Sequence, residues 1–495
     1  MKTKKRVLPA ILFSIFAGAA ATGAQAQQFS GVVVFGDSLS DAGYYRGFLA
    51  GIGIPAPLVA TMGRWTTNPG PMWAELVSTH YGVASPGPSN AGGTIYAQGG
   101  ARVALTPGIT PPGQAERPIR TQITEHLCHG LSASACDDTH GGVADPGALY
   151  TMWGGANDFF VQVQALSAGA ITPAQFQANV LAAAAAEVQQ VGRLYQAGAR
   201  YVLVFANYDP SFTPAISAAD AATRAGFTQL GVGANTTVFA GLASNGLRVI
   251  PVDLFSLVNQ IRANPSAYGF ANTTGVACGP FPPITTTPSA LFCYTGNLVA
   301  PNAAETYFFA DSTGHVTTAT NRIFAQFAES MIDGPAAYSL LAEAPLRARN
   351  GHIAALGDAI ALGEKAQVGQ FTAFATGGGG SFDVDTSTST GLDSRNDNIA
   401  IGGTLRFSDS FLLGASYGQS HSRGSLGMEM GGFKTRENVW SIFGSVKMGG
   451  FYGNKRAISL YESEGFAEYC RRADYYGTGQ DREDAVLMSR LFDFG

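Results

Sequence analysis

Charged residues are scarce in this sequence, and no block of Lys or Arg follows the first six residues. Only 13% of the 495 residues are charged and the formal net charge is −5, so the sequence offers no basic face for a nucleic acid partner. No G-X-Y period runs through the 63 glycines, which excludes collagen and indicates Gly-rich strands and loops. With 46% hydrophobic residues, the chain is too apolar to be disordered and long enough for two or three domains.

The N-terminal apolar run, Val7 to Ala21, is short for a transmembrane helix. It follows four basic residues, Lys2, Lys4, Lys5 and Arg6. It precedes Ala24-Gln25-Ala26, which has the small-x-small form of a cleavage site. Residues 1–26 are therefore predicted to be a signal peptide, and the mature chain is predicted to be exported.

The five cysteines include no CxxC spacing, which disfavours a thiolate metal site. Four of them form two close pairs, Cys128 with Cys136 and Cys278 with Cys293, as expected for loop disulfides in an oxidising compartment. Cys470 is left over.

Strand-like and helix-like segments alternate from Phe29 to Ile332. Apolar runs such as Val32–Phe35 and Tyr201–Phe205 alternate with Ala/Gln-rich stretches such as Pro173–Tyr195. This alternation predicts an α/β domain over residues 27–335, with a parallel sheet covered by helices. Residues 336–366 have apolar positions at helical spacing and are predicted to form one isolated helix or linker.

Residues 367–453 show alternating apolar and polar positions with aromatic side chains. Four strands are predicted there, at 368–371, 398–407, 411–419 and 439–448. A membrane β-barrel and a soluble β-sandwich share this pattern, and its length per strand favours the barrel modestly. The composition shifts after Gly453, so residues 454–495 are predicted to be a different kind of domain.

A serine stands in Phe35-Gly36-Asp37-Ser38-Leu39-Ser40-Asp41, directly after the first apolar strand. Ligands bind at the carboxyl ends of strands in open α/β sheets, and a serine nucleophile needs a base and a group that orients the base. His315 with the nearby Asp311 fits these two roles best among the seven histidines. Taken alone, such a pair is more often a surface histidine beside a helix-capping aspartate.

Two glycine-containing segments could donate hydrogen bonds to the oxyanion of an acyl-transfer reaction. They are Tyr96–Arg102 and Trp153–Asp158, and each alone also fits a glycine turn or a helix cap. A competing G-x-S-x-G string at Gly414–Gly418 lies inside an alternating strand and lacks the strand-to-helix context of that motif.

These segments together resemble the GDSL, or SGNH, hydrolase family, in its exported esterase branch carried on an autotransporter barrel. Gly36–Leu39 matches the first family block, which implies that Ser38 is the nucleophile and its N–H an oxyanion donor. Ala97–Ala101 and Gly155–Asp158 match two further blocks, which imply that Gly100 N–H and the Asn157 amide are the other donors.

Two positions depart from the family pattern. Ile95 stands where an Asn usually begins the second block. Asp311 and His315 are separated by three residues where the family has two, so water or a backbone carbonyl replaces Asp311 as the orienting group if its carboxylate cannot reach.

Beyond the α/β domain, residues 336–453 resemble part of an autotransporter translocation unit, in which a helix threads a closed barrel of about twelve strands. Residues 454–488 resemble the C-terminal piece of a GNAT-superfamily acetyltransferase. The truncated barrel is expected to remain open, which predicts a chain that is periplasmic or unstable. The GNAT-like tail, with barrel strands where the pyrophosphate-binding loop should be, is expected not to bind acetyl-CoA.

The resemblance implies a serine esterase or lipase that acts through an acyl-enzyme without a metal or organic cofactor. Lipid or aliphatic esters are the favoured substrates, because a complete barrel would hold the domain at the outer membrane. Carbohydrate deacetylation and acyl transfer, which the same family machinery performs, stay open as alternatives. A surface-binding domain that has lost the chemistry is the third.

Overall fold

The structure is a computed structural model that describes residues 29–84, 86–131, 135–138, 140–384, 392–426, 431–446, 467–476 and 483–489. The chain divides after Ala336 into two compact units. The predicted signal peptide and the N-terminal part of the GNAT-like segment, residues 454–466, lie outside the described residues. None of the described helices combines the length and apolar composition that a bilayer span requires.

A parallel sheet forms the centre of the first unit. Its strands, in spatial order, are β1 (Val32–Gly36), β2 (Leu149–Trp153), β3 (Tyr201–Ala206) and β4 (Ile250–Asp253). Residues 94–98 run along the other edge of β1, where the Val34 N–H donates to Thr94 O at 3.0 Å. A separate small parallel sheet pairs β5 (Asn272–Val276) with β6 (Tyr307–Phe309).

Helices cover both faces of the main sheet. The helices of this part of the chain are α1 (Arg46–Gly51), α2 (Ala56–Thr61), α3 (Trp73–His80), α4 (Ile119–Leu127), α5 (Ala156–Ser167), α6 (Pro173–Ala197), α7 (Pro214–Ser217), α8 (Ala221–Ser244), α9 (Leu254–Ala263), α10 (Ala303–Thr306) and α11 (Thr318–Leu340). Alternate residues of β1 point into two different cores, Val34 towards Trp73 of α3 and Phe35 towards Ile119 of α4. Burial on both faces explains the continuous apolar runs in the sequence. The predicted helix-covered parallel sheet is confirmed.

The second unit contains a four-stranded antiparallel sheet and one long helix. The strands are β7 (Phe371–Val384), β8 (Leu392–Arg406), β9 (Phe411–Leu426) and β10 (Gly432–Val446), paired in chain order. The predicted boundaries of the first two strands were wrong. Glycines 377–380 carry no side chains to alternate, yet their backbones continue the ladder of β7.

Helix α12 (Glu343–Gly363) packs on this sheet, so the prediction of an isolated helix was wrong. It lies on the polar face of the sheet, where His352 Nε2 and Ser441 Oγ are 2.8 Å apart. Large apolar side chains occupy the opposite face, where Trp440 is 80% and Ile442 84% exposed. The polar positions of the strands therefore face α12, and the apolar positions face away from it. Further along the chain, β11 (Ala467–Tyr476) and β12 (Glu483–Ser489) form an antiparallel pair.

Candidate active site

Three neighbouring strands end at one point of the main sheet. β1 lies between residues 94–98 and β2, both later in the chain, so the strand order reverses at β1. Ser38 follows β1, Gly100 follows residues 94–98, and Asn157 follows β2. Ligands of open α/β sheets bind at such a switch point, beyond the carboxyl ends of the strands. The topology thus brings together three residues that are far apart in the sequence.

Ser38, His315 and Asp311 form a hydrogen-bonded chain. Ser38 Oγ lies 2.8 Å from His315 Nε2, and His315 Nδ1 lies 2.7 Å from Asp311 Oδ2. Burial alone would raise the pKa of Asp311, but the nearby His315 and hydrogen bonds from His315, Ala290 and Thr313 hold that pKa below its ordinary value. An ionised Asp311 accepts from Nδ1–H, which leaves Nε2 free to accept the Ser38 proton.

A tight turn joins Asp311 to His315 across the three intervening residues. Gly314 has φ +104°, and the Ala310 N–H donates to His315 O at 2.7 Å, which closes the turn. Thr313 fills the space inside it, with its Oγ1 2.7 Å from Asp311 Oδ1. The extra residue relative to the family pattern is thereby accommodated, and the carboxylate reaches the imidazole directly.

The predicted oxyanion donors line the same cavity as Ser38. Within the described residues, the backbone N–H groups of Ser38 and Gly100 have no protein acceptor. Gly100 has φ +83°, and a Cβ there would overlap the Ile109 carbonyl, so only glycine fits this turn. Asn157 Nδ2 donates one hydrogen to Ala101 O at 3.0 Å and keeps the other free.

Two acidic residues hold the donor loops in place, and the sequence analysis predicted no role for either. Asp41 Oδ2 accepts from the Gly99 N–H at 2.8 Å, next to Gly100. Asp158 accepts from the Val103 N–H at 2.8 Å and from Arg102 Nε at 2.9 Å, beside Asn157. Asp158 ends the matched segment Gly155–Asp158 and Asp41 follows Gly36–Leu39 by two residues, and these positions could have singled them out.

Two further carboxyl groups are buried close to the site, and neither forms an ion pair within the part of the chain that the structure describes. Burial raises the pKa of Asp37, the residue before Ser38, to about 7. Burial, and then the charges of Asp158 and Asp37, raise the pKa of Glu187 well above its ordinary value. Its environment therefore favours the uncharged form of Glu187.

A cavity of about 280 Å³ extends from Ser38 and His315. Its deeper wall comes from α5, α6 and α8 and is mostly apolar: Phe159, Phe160, Val180, Ala184, Ala234 and Val238. Glu187 lies in this wall. Such a space suits a flexible apolar group bound next to the serine.

Both predicted cysteine pairs are joined in the structure. Cys128 and Cys136 have Cα atoms 5.3 Å apart, and Cys278 and Cys293 have Cα atoms 5.5 Å apart. The side chain of Cys470 lies outside what is described. No cluster of three metal-ligating side chains occurs in the described part of the chain.

The competing serine of the G-x-S-x-G string, Ser416, lies in the middle of β9 on the face that α12 covers. No histidine or carboxylate contacts its hydroxyl among the described residues. It therefore lacks the base that a nucleophile needs.

The chain belongs to the GDSL-like lipase/acylhydrolase family, whose model matches residues 32–327. Among curated proteins it is similar to the esterase EstA of Pseudomonas aeruginosa and to that of Pseudomonas putida, with 27% identity over 446 residues in each case. An uncharacterized protein of the trpE-trpG intergenic region of P. putida is 26% identical over 419 residues.

These alignments cover 84% of this chain for the two esterases and 79% for the third protein. They cover 64% and 63% of the relatives' own lengths. The chain thus spans less than two thirds of the relatives that it matches.

Proposed function

We propose that the α/β unit hydrolyses carboxylic esters through a covalent acyl-enzyme, with Ser38 as nucleophile. The hydrogen-bonded chain from Ser38 Oγ through His315 to Asp311 is the observation that carries this proposal. His315 Nε2 takes the serine proton as Oγ attacks the ester carbonyl. The imidazolium, held by Asp311, then protonates the leaving alcohol, and the bond between carbonyl carbon and alkoxy oxygen breaks. Water attacks the acyl-enzyme with His315 as base and releases the acid and free Ser38.

The tetrahedral intermediates carry a negative oxygen that needs fixed donors. The free N–H groups of Ser38 and Gly100 and the second amide hydrogen of Asn157 provide three of them on one cavity wall. The loops that present the second and third donor are tied down by Asp41 and Asp158. The site is therefore pre-formed before an ester enters.

The substrate we propose is an ester with an aliphatic acyl group, as in lipids. The apolar wall of the cavity begins beside Ser38 and can cover such a chain, and burial disfavours the charged form of Glu187 in this wall. An acetylated sugar has no aliphatic tail to place there. Three other functions are accordingly less favoured: carbohydrate deacetylation, acyl transfer, and binding without catalysis.

A rate comparison tests these proposals on the full chain. Ser38→Ala is expected to abolish hydrolysis of p-nitrophenyl esters and labelling by a fluorophosphonate, whereas Ser416→Ala keeps both. A series of p-nitrophenyl esters from acetyl to dodecanoyl should show higher kcat/KM for longer chains than for acetyl. Retained activity in Ser38→Ala, or a strong preference for acetyl-xylan, would contradict the proposal.

We further propose that the second unit belongs to an outer-membrane translocation unit and that the chain is exported by residues 1–26. A polar face covered by α12 and an apolar outer face are what a barrel wall between lumen and lipid needs. Binding of the full chain to phospholipid vesicles tests the lipid-facing assignment. The apolar outer face is expected to bind phospholipid vesicles, and Ile442→Asp, which puts a charge on that face, is expected to weaken this binding relative to wild type. Equal vesicle binding by the two chains would contradict the proposal.

For the GNAT-like tail we propose that no acetyl-CoA is bound. The residues upstream of it, including β10, form strands of another sheet. Isothermal titration of the full chain with acetyl-CoA is expected to give no heat of binding. A saturable heat would contradict the proposal.

A further inference from the structure

The disulfide between Cys278 and Cys293 lies directly behind Asp311. Both cysteines are fully buried, and with Ala290 and Ala310 they form a small core cluster of their own. Ala310 is the residue before Asp311. The disulfide thus borders the group that orients His315 in the proposed mechanism.

The two segments that the disulfide joins bind different groups: one binds the carbonyl of Ala310, and the other binds the carboxylate of Asp311. The Cys278 N–H donates to Ala310 O at 3.0 Å, which fixes the backbone just before Asp311. The Ala290 N–H donates to Asp311 Oδ2 at 2.8 Å, and Cys293 N–H closes a turn onto Ala290 O at 3.1 Å. The bond between the two sulfurs therefore links the segment that holds the backbone to the segment that binds the carboxylate.

The same carboxylate oxygen accepts from Ala290 N–H and from His315 Nδ1. A carboxylate with only one donor can rotate about its side-chain bonds, whereas two donors on Oδ2 and Thr313 on Oδ1 fix its plane. Asn68 supports the turn from outside, because its Nδ2 donates to Cys293 O at 2.9 Å. The orientation of Asp311 thus depends on a loop outside the matched sequence blocks.

We propose that the loop from Cys278 to Cys293 is a positioning element for catalysis, in which the disulfide holds the Ala290 N–H against Asp311. The inference rests on the proposed roles of Ser38, His315 and Asp311. None of the loop residues touches the reacting atoms, so the loop acts through Asp311 on His315. Its loss should slow the chemical steps and leave ester binding nearly unchanged.

The chain carries its own control for removal of a disulfide. Cys128 and Cys136 belong to a different core cluster, and neither contacts Ser38, Asp311 or His315. In the full chain, C278A/C293A is expected to lower kcat for a p-nitrophenyl ester about 10- to 100-fold, with KM within about twofold of wild type. C128A/C136A is expected to change kcat by less than about threefold, because its disulfide touches none of these groups.

A second pair of variants removes the donor and leaves the disulfide in place. Ala290 begins a 3-10 turn, Ala290–Phe292, and the preceding Ser289 has φ −146° and ψ 127°, which suits a residue before proline. Ala290→Pro deletes the N–H, whereas Ala290→Val adds a side chain of similar size and keeps it. The expected kcat of the proline variant is at least about fivefold below that of the valine variant, with similar KM.

The outcomes separate this inference from the proposed function. Equal kcat values for C278A/C293A and C128A/C136A, or for A290P and A290V, would overturn the positioning role. If C278A/C293A fails to fold, the Ala290 pair decides alone. Hydrolysis by Ser38→Ala would overturn the triad itself, whereas an inactive Ser38→Ala with fully active loop variants would overturn only the positioning role.

Discussion

The indole ring of Trp65 lies over the imidazole of His315, with ring centroids 4.7 Å apart and planes inclined by 34°. Trp65 Nε1 also points at Asp41 Oδ2, 3.3 Å away. Since Asp41 binds the Gly99 N–H, one side chain contacts both the base and the loop that presents Gly100. An aromatic face beside an imidazole favours its cationic form, which the proposed mechanism passes through.

Shortening Trp65 is therefore expected to slow catalysis. Trp65→Ala should lower kcat about tenfold, since an aromatic contact with a buried cation is worth about 1 to 2 kcal/mol. Trp65→Phe keeps a ring over His315 but loses the contact with Asp41, so a smaller loss is expected. Steady-state kinetics on a p-nitrophenyl ester distinguish the two, and equal losses would show that stacking is not the cause.

The length of the acyl chain is expected to respond to a change in the cavity wall. Ala184 on α6 lines the cavity, whereas the neighbouring Ala185 is exposed on the same helix. Ala184→Leu should lower kcat/KM for decanoyl esters about tenfold or more and spare acetyl esters, because extra methylenes block a packed space. Ala185→Leu is the matched control and should leave the ratio of the two rates unchanged. A uniform change for all esters would contradict this use of the cavity.

The stability of the α/β unit is expected to depend on Asp37. Its pKa is raised by burial from 3.8 to about 7, so the folded state favours the protonated carboxyl. Wild-type stability should therefore fall as pH rises from about 4 to about 7, by an amount on the order of 4 kcal/mol. Asp37→Asn stays neutral and should gain relative to wild type across this window. Denaturant unfolding at pH 4.5 and pH 8 measures the difference in the free energy of unfolding between Asp37→Asn and wild type. The same difference at both pH values would contradict the prediction.

His80 is expected to give a pH dependence in the same direction, at higher pH. Burial lowers its pKa, but the hydrogen bond to Asp333 and the charges of Glu329 and Asp333 outweigh this and hold the pKa above 6.5. Its contribution is complete below pH 6.5 and is lost as pH rises through the raised value. His80→Gln should thus destabilise the unit by about 1 kcal/mol at pH 5.5 and hardly at all at pH 9. A loss that grows with pH would contradict the role of His80.

The sequence predicted those parts of the site that follow strands. Ser38 comes after an apolar run, so its position could be inferred from the local pattern alone. Gly100 and Asn157 needed the resemblance to a family, because a glycine turn and a helix cap are common. The position of Asp311 against His315 depended on a turn whose closure by Gly314 a residue count does not reveal.

The roles of Trp65 and of the Cys278–Cys293 loop could not be predicted from the sequence, because their partners are distant in the chain. Thr66, next to Trp65, donates to Val316 O, a residue 250 positions away. No local periodicity encodes such contacts. In the second unit, the glycines of β7 hid a strand because strand prediction reads side chains, whereas the ladder is made by the backbone.

The hydrogen bond between Ser38 and His315 joins residues 277 positions apart. During synthesis at about 5 to 20 residues per second, the proposed nucleophile leaves the ribosome roughly 14 to 55 seconds before the proposed base does. Under the proposed mechanism the serine lacks its base throughout that interval, so an N-terminal fragment without His315 does not attack the esters of the cell that makes it. The separation in sequence would delay the onset of the proposed activity until the α/β unit is almost completely synthesised.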